Sequence, residues 1–149
     1  MKKLEFRINI SAPQQKVWET MLNAATYKEC AQAAWPGSFY EGTWAENEKI
    51  RFIGNQGSGT LALIEKYQPY DHIAATHIAA LLPGGVEDTD SDLAKGWIGT
   101  KESYTFTEQD NHTNVVVEII TNPSWEEMFA DGWPKALAKL KEICEAANK

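Results

Sequence analysis

Three ionisable side chains lie among apolar residues in stretches whose period of two predicts β-strands. His77 alternates with apolar residues, so its ring could point inward as an acid or base, or serve as a hydrogen-bonded structural histidine. Glu102 stands two residues before Tyr104, and Glu118 stands between two apolar residues. Both are candidates for inward carboxylates with raised pKa values. Alternation equally allows each carboxylate to face solvent, and the sequence leaves both interpretations open.

Neither a metal site nor a nucleotide cofactor is predicted. His72 and His77 are five residues apart on one predicted strand, so they face opposite sides of it. Residues 57–62 match the GxGxxA pattern, but they open a strand, whereas a dinucleotide-binding loop opens a helix. No serine lies in a nucleophile-elbow context, and Cys30 and Cys144 fall on apolar helical faces. We therefore predict no catalytic residues of these kinds, no metal ligands and no cofactor.

Asp88, Asp90 and Asp92 form an acidic run within residues 83–96, a polar connection between two predicted strands. Their spacing matches the first three ligand positions of an EF-hand loop. Leu93, however, takes the place of the turn glycine, and the bidentate glutamate is also missing. A mobile, solvated acidic loop is the favoured interpretation.

Six tryptophans and further aromatic residues predict the position of a pocket. Trp18 is assigned to packing between a helix and the sheet, while the others lie at element edges or on the stripe of the last helix. Aromatic side chains at such places could line an apolar ligand pocket, with core packing as the competing explanation for each. The predicted ligand-binding residues are Phe39, Trp44, Phe52, His77, Trp97, Glu102, Tyr104, Glu118, Phe129 and Trp133.

The order of predicted elements supplies the scaffold for these residues. Residues 4–10 alternate as a half-buried strand, and two short helices follow. Ser11, Thr26 and Ser124 each stand three residues before Gln or Glu, which predicts a capping box at the start of each helix. The connection at residues 55–57, Asn-Gln-Gly, favours a hairpin. Six further strands are predicted at residues 38–44, 48–54, 58–67, 72–82, 97–107 and 113–121.

A long helix is predicted over residues 125–147, because its apolar residues recur at steps of three and four. At about 1.5 Å per residue, such a helix can cross a whole sheet. Gly132 and Pro134 interrupt the pattern, and we expect a kink or a restart at that point.

This order resembles the helix-grip fold of the START-like, or SRPBCC, superfamily, which includes birch-pollen-allergen-like proteins. Residues 10–18, 57–60 and 132–137 most resemble the family named after the activator of the heat-shock-protein-ninety ATPase. The resemblance covers essentially the whole chain and implies one START-like domain over residues 1–149. The implied α+β fold is a seven-stranded curved antiparallel sheet wrapped around a long C-terminal helix, with two short helices after the first strand.

The resemblance also carries functional expectations. The family name implies a co-chaperone, but the co-chaperone that gave the name has a separate N-terminal chaperone-binding domain, for which 149 residues leave no room beside this fold. We therefore expect the ATPase-activator role not to carry over. The wider superfamily more often implies a cavity between the long helix and the sheet that holds an apolar small molecule, and in some members chemistry such as polyketide cyclisation.

Composition excludes several kinds of partner. A net charge of −7 argues against nucleic acids and anionic membrane surfaces, which both attract Lys and Arg. A hydrophobic share of 43% is typical of a globular chain. No apolar run is long enough to span a membrane, and no signal peptide is recognisable. We expect a cytoplasmic protein that is a monomer or a homodimer.

Three functions remain open. The favoured one is binding of a small apolar molecule between the last helix and the sheet, without catalysis. The second is a chaperone-accessory or other interaction module, which would present its acidic surface and residues 83–96 to a basic partner. The third is a cyclase-like or hydrolase-like enzyme that uses an inward His77 or Glu118 as acid or base.

Overall fold

Eight strands and four α-helices make up the described part of the chain, residues 1–54 and 57–146 of a computed structural model. A 3-10 turn, Pro123–Trp125, directly precedes the last helix. In chain order the elements are β1 (Lys2–Ile10), α1 (Gln14–Leu22), α2 (Ala24–Ala34), β2 (Phe39–Gly42), β3 (Lys49–Ile53), β4 (Gly59–Gln68), β5 (His72–Leu82), β6 (Val86–Asp88), α3 (Asp92–Trp97), β7 (Lys101–Gln109), β8 (His112–Thr121) and α4 (Glu126–Ala146).

All of these strands belong to one antiparallel sheet, in the spatial order β1-β8-β7-β5-β4-β3-β2, with β6 paired to β5. One edge of β5 is shared, because residues 72–76 pair with β7 and residues 80–82 pair with β6. Between these stretches, the His77 N–H donates to the Thr100 carbonyl at 2.8 Å, and the Gly99 N–H donates to the His77 carbonyl at 2.9 Å. The backbone of His77 is thus fixed where two neighbouring strands meet.

Alternation along the strands selects the face of the sheet that meets the helices. In β8, Val115, Val117 and Ile119 are fully buried, whereas the residues between them are half-buried. These side chains join the core with the buried face of α4, which includes Phe129 and Leu140. α4 also packs against α1, α2 and β1. The predicted α+β fold, with two short helices after β1 and a long C-terminal helix, is confirmed.

The seven predicted strands form the continuous path of the sheet, but the prediction of a loop at residues 83–96 is wrong. Val86–Asp88 forms an eighth short strand, and Asp92–Trp97 forms α3, so the strand predicted from residue 97 begins at Lys101. The Asp88 carboxylate accepts hydrogen bonds from the Asp90 N–H, the Ser91 N–H and the Ser91 hydroxyl. These local bonds organise the acidic segment into a turn that leads into α3.

The predicted capping boxes also differ from the caps in the structure. α1 begins after Pro13 without a side-chain cap, Asn23 caps α2, and Asn122 caps the turn before α4. α4 continues through Pro134 without a restart. The end of the predicted helix at residue 147 and the hairpin residues Asn55 and Gln56 lie outside the described residues. No helix in the described ranges is long and apolar enough to cross a membrane.

Candidate functional site

A cavity of about 230 Å³ lies between α4, the end of α2 and the inner face of the sheet. Its walls are mainly apolar, and its polar groups are concentrated on β4, β5 and β7. The described residues that line it are Tyr27, Trp35, Ser38, Phe39, Phe52, Ile53, Gly54, Ser58, Gly59, Thr60, His77, Trp97, Glu102, Tyr104, Met128, Phe129 and Trp133.

Aromatic rings hold one another in place around this cavity. Trp97 stacks on Trp125 with ring centroids 4.7 Å apart and meets Phe129 edge to face at 5.8 Å. Trp133 meets Trp35 edge to face at 5.7 Å. Offset stacked and edge-to-face pairs are the favoured arrangements of aromatic rings, and each is worth about 0.5–1.5 kcal/mol beyond area burial. These contacts between rings fix the side chains of the wall relative to one another.

Four polar side chains form a continuous hydrogen-bonded chain along the cavity. The His77 Nδ1 lies 2.9 Å from the Thr60 Oγ1, and the His77 Nε2 lies 3.0 Å from the Glu102 Oε1. The Tyr104 hydroxyl donates to the Glu102 Oε2 at 2.7 Å. All four residues are buried, with exposed fractions between 2% and 8%. Both nitrogens of His77 and both oxygens of Glu102 therefore have partners within this network, which we call the polar network.

Neighbouring strands place these side chains in a row. Thr60, His77 and Glu102 lie on the inner faces of β4, β5 and β7, which are adjacent in the sheet. A β-bulge shifts the register between β4 and β5, because Leu61 pairs with Ala79 but Ala62 pairs with His77. The extra residue in β5 is Ile78, and both His77 and Ala79, on either side of it, are buried. A β-bulge is a common means of directing a side chain at a functional site.

Electrostatics keep the carboxylate of the polar network ionised. Burial raises the pKa of Glu102, but the charge and hydrogen bond of His77, with the hydrogen bond from Tyr104, outweigh it and leave the pKa below its ordinary value. Burial and the adjacent Glu102 charge raise the pKa of Tyr104 well above its ordinary value. An ionised carboxylate only accepts hydrogen bonds. The His77 Nε2 must therefore carry the hydrogen shared with Glu102.

Trp133 brings a further donor to the cavity wall. Its Nε1–H is buried and has no hydrogen-bond partner in the part of the chain that the structure describes. Burying an indole N–H without an acceptor costs on the order of 1–3 kcal/mol. The Trp44 Nε1–H is likewise buried without a hydrogen-bond partner among the described residues. Trp44 does not line the cavity, and its ring contacts those of Tyr40 and Phe52.

Eight of the ten predicted ligand-binding residues line this single cavity, and two do not. The eight are Phe39, Phe52, His77, Trp97, Glu102, Tyr104, Phe129 and Trp133. Trp44 and Glu118 are the two placed elsewhere. The structure thus brings together side chains from β2, β3, β5, β7, α3 and α4 that are far apart in the sequence.

Glu118 points to the opposite face of the sheet from His77. Its neighbours Val117 and Ile119 take the inward positions of β8, so Glu118 is half-exposed and pairs with Lys3 at 3.7 Å. It borders a hollow of about 330 Å³ on that face, which is lined by charged and small side chains such as Lys66. Among the described residues that line this hollow there is no aromatic side chain, and Glu102 is its one member of the polar network. The inner cavity, which has aromatic walls and all four members of the network, is therefore the candidate site.

Sequence reasoning missed several residues of the site, of which Thr60 is the most important. Thr60 follows the glycine-rich stretch that opens β4. It lies two residues before Ala62 and four before Ile64, so the three share one face of the strand, and all three are buried. That alternation is a signal that could have placed its hydroxyl inside. Tyr27 and Trp35 gave no comparable signal, because they line the cavity from α2 and from the residue after it.

The remaining candidates lie outside the cavity. His72 occupies the opposite face of β5, where its Nδ1 lies 2.9 Å from the Thr105 Oγ1. Cys30 and Cys144 are buried free thiols on helices. Burial is the largest effect on both thiols and raises the pKa of Cys30 to about 12 and that of Cys144 above its ordinary value. Both cysteines therefore stay protonated near neutral pH and are poor nucleophiles.

Solved structures share this architecture over nearly the whole chain. The chain is similar to the Aha1 dimer from Colwellia psychrerythraea, with 19% sequence identity, 97% of each chain covered and a TM-score of 0.72. It is similar to protein MLL2253 from Mesorhizobium loti at 13% identity, with 97% of this chain and 98% of that chain covered and a TM-score of 0.76. CalU16 from Micromonospora echinospora matches at 16% identity, with 95% and 65% covered and a TM-score of 0.65.

No family model and no curated protein matches the chain. At identities between 13% and 19%, the property shared with these three structures is the fold. The architecture described above and these similarities confirm the expected resemblance at that level: the chain has the helix-grip fold of Aha1-like and START-like (SRPBCC) proteins.

Proposed function

We propose that this protein binds a small, largely apolar molecule in the cavity between α4 and the sheet. The observation that carries the proposal is the combination of a cavity walled by aromatic rings with a buried polar network at one side. Ligand sites are typically apolar concave surfaces with a few placed polar groups.

The volume of the cavity limits the size of the ligand. At about 230 Å³, the cavity exceeds the engineered cavities of about 150 Å³ that bind benzene. It is smaller than the pockets of about 300 Å³ and more that hold drug-sized ligands. A planar molecule with one or two rings fits this range.

The polar groups favour a ligand with a hydrogen-bond acceptor. His77, Glu102 and Tyr104 already satisfy one another, so a purely apolar ligand leaves none of them unpaired. The Trp133 Nε1–H, in contrast, has no partner among the described residues. A carbonyl or hydroxyl oxygen on the ligand would satisfy it and add about 0.5–1.5 kcal/mol of net stabilisation.

Naphthalene and 2-naphthol test the proposal as probes that differ by one hydroxyl group. We expect both probes to raise the midpoint of thermal unfolding and to shift amide resonances of cavity residues, with tighter binding by 2-naphthol. Ligand at about 100 times Kd adds about 2.7 kcal/mol to the free energy of unfolding. Ser38→Phe, at the cavity, should weaken binding, whereas Ser124→Phe, on an exposed residue before α4, should not. Absence of binding to the wild-type protein would reject the proposal.

A further inference from the structure

We infer that Thr60, His77 and Glu102 form a nucleophile, base and orienting carboxylate for acyl transfer, with small aryl esters or thioesters as the substrate class. The inference rests on the proposed function, because the acyl substrate would occupy the same cavity. Thr60, His77 and Glu102 all line that cavity.

The geometry has the pattern of a catalytic triad. In such a triad, one imidazole nitrogen contacts a hydroxyl and the other contacts a carboxylate that fixes the ring. Here the Thr60 Oγ1 lies 2.9 Å from the His77 Nδ1, and the Glu102 Oε1 lies 3.0 Å from the Nε2. In the tautomer whose one ring hydrogen is the Nε2 hydrogen shared with Glu102, Nδ1 is the acceptor for the Thr60 hydroxyl.

The opposite face of β5 offers an internal comparison. His72 also contacts a threonine, because its Nδ1 lies 2.9 Å from the Thr105 Oγ1. Within residues 1–54 and 57–146, no hydrogen bond joins that pair to a carboxylate, and the pair is only partly buried. A histidine beside a threonine therefore arises from ordinary strand pairing in this sheet. What distinguishes the Thr60–His77 pair is the buried Glu102, itself held by Tyr104 at 2.7 Å.

The chemistry needs no reagent beyond an ester and water. The Thr60 oxygen attacks the carbonyl carbon while its proton passes to the His77 Nδ1. The resulting tetrahedral intermediate collapses, the bond to the leaving alcohol or thiol breaks, and that group takes the proton from Nδ1. The acyl group is then an ester of Thr60. Water attacks that ester with His77 as base again, which releases the acid and restores the Thr60 hydroxyl.

Ester hydrolysis with variants of the whole chain tests the inference. The probes are 4-nitrophenyl acetate and 4-nitrophenyl butyrate. We expect nitrophenol release by the wild-type protein, and mass spectrometry of acid-quenched samples should locate one acyl group on Thr60. Thr60→Val should abolish acylation, and His77→Gln should lower the rate about 10²- to 10⁴-fold. Thr60→Ser, which retains the hydroxyl, should still be acylated.

Matched controls come from the opposite face of the same strand. Thr76→Val removes a threonine hydroxyl one residue before His77, and His72→Gln removes an imidazole five residues before it. Both variants should hydrolyse the esters at the rate of the wild-type protein. Each variant is also titrated with naphthalene, so that loss of chemistry is separated from loss of the cavity. If Thr60→Val destabilises the chain, the Thr60→Ser acyl-enzyme decides the matter.

Two results would overturn the inference. The first is hydrolysis that is equal in the wild-type protein, Thr60→Val and Thr60→Ser, and the second is an acyl group found only on residues other than Thr60. If the wild-type protein binds naphthalene but shows no acylation of Thr60, the triad is rejected and the proposed binding function stands. If naphthalene does not bind, the proposed function fails, and Thr60 acylation then decides the triad alone.

Discussion

Glu102 is the residue on which the polar network depends, because it accepts from both His77 and Tyr104. We predict that Glu102→Gln lowers the free energy of unfolding by about 1–3 kcal/mol, since a glutamine amide has one accepting oxygen in place of two and its NH2 group then faces the donor of His77 or of Tyr104. Urea denaturation at neutral pH measures the change. Glu118→Gln is the matched control, and it should lower the free energy by less than about 1 kcal/mol because its ion pair with Lys3 is exposed.

The stability of the protein should also depend on pH through Glu102. Its pKa is lower in the folded protein than its ordinary value, because the contacts with His77 and Tyr104 outweigh burial. A carboxyl with a lowered pKa contributes stability above its unfolded pKa, near about 4.3, and loses that contribution as pH falls towards the folded value. We therefore expect the free energy of unfolding to fall more steeply below about pH 4.3 in the wild-type protein than in Glu102→Gln. Parallel slopes for the two proteins would contradict this.

Sequence alternation predicted some of the site and misjudged the rest, for identifiable reasons. The inward direction of His77 is visible in its apolar neighbours along β5. Glu118 could not be assigned by the same argument, because both faces of β8 carry branched apolar residues, such as Val116 and Val117. The contact between Thr60 and His77 depends on the register of β4 against β5, which the bulge after Leu61 changes. A register of this kind is set by tertiary pairing and is invisible in one strand alone.

Among the elements, α4 contains Gly132, where a side chain would collide with the ring of Trp35. A Cβ on Gly132 would lie 2.3 Å from two ring atoms of Trp35, so that ring packs directly on the helix backbone. We predict that Gly132→Ala lowers the free energy of unfolding by about 1–3 kcal/mol through overpacking, despite the higher helix propensity of alanine. Gly96→Ala is the control, because its Cβ would meet its nearest atom at 3.8 Å. Denaturation curves in which Gly132→Ala is as stable as the wild-type protein would show that Trp35 can move aside.

The residues that cap the helix starts differ from those that the capping-box pattern predicts. Asn23 accepts from the Ala25 N–H at 3.0 Å and stands at the break between α1 and α2, whereas Thr26, which fits a capping box, is already inside α2. We predict that Asn23→Ala costs about 1 kcal/mol of stability. Ser124→Ala should cost less than about 0.5 kcal/mol, because Asn122 provides the side-chain cap there. Thermal unfolding of the two variants checks the ranking, and an equal loss in both would contradict it.

For the whole molecule, the order of elements predicted the fold through resemblance, because a strand, two helices, a run of strands and a long helix is the order found in the helix-grip fold. The eighth strand was missed because β6 has only three residues, Val86–Asp88, too few for alternation to be recognised. α3 was missed for a similar reason, since a six-residue helix gives less than two turns of pattern. The binding of a basic partner by this acidic chain stays a prediction, and so does its state as monomer or homodimer.

The net charge of −7 allows these two kinds of association to be separated by the sign of their salt dependence. Two copies of this chain repel each other, and salt screens that repulsion because the Debye length falls from about 30 Å at 0.01 M to about 3 Å at 1 M. Attraction to a basic partner is weakened by the same screening. We therefore expect sedimentation velocity to show monomer at low salt and any dimer fraction to increase as salt is added. A dimer that dissociates on addition of salt would contradict this, because it would require an attractive charged interface that outweighs the net charge of the chain.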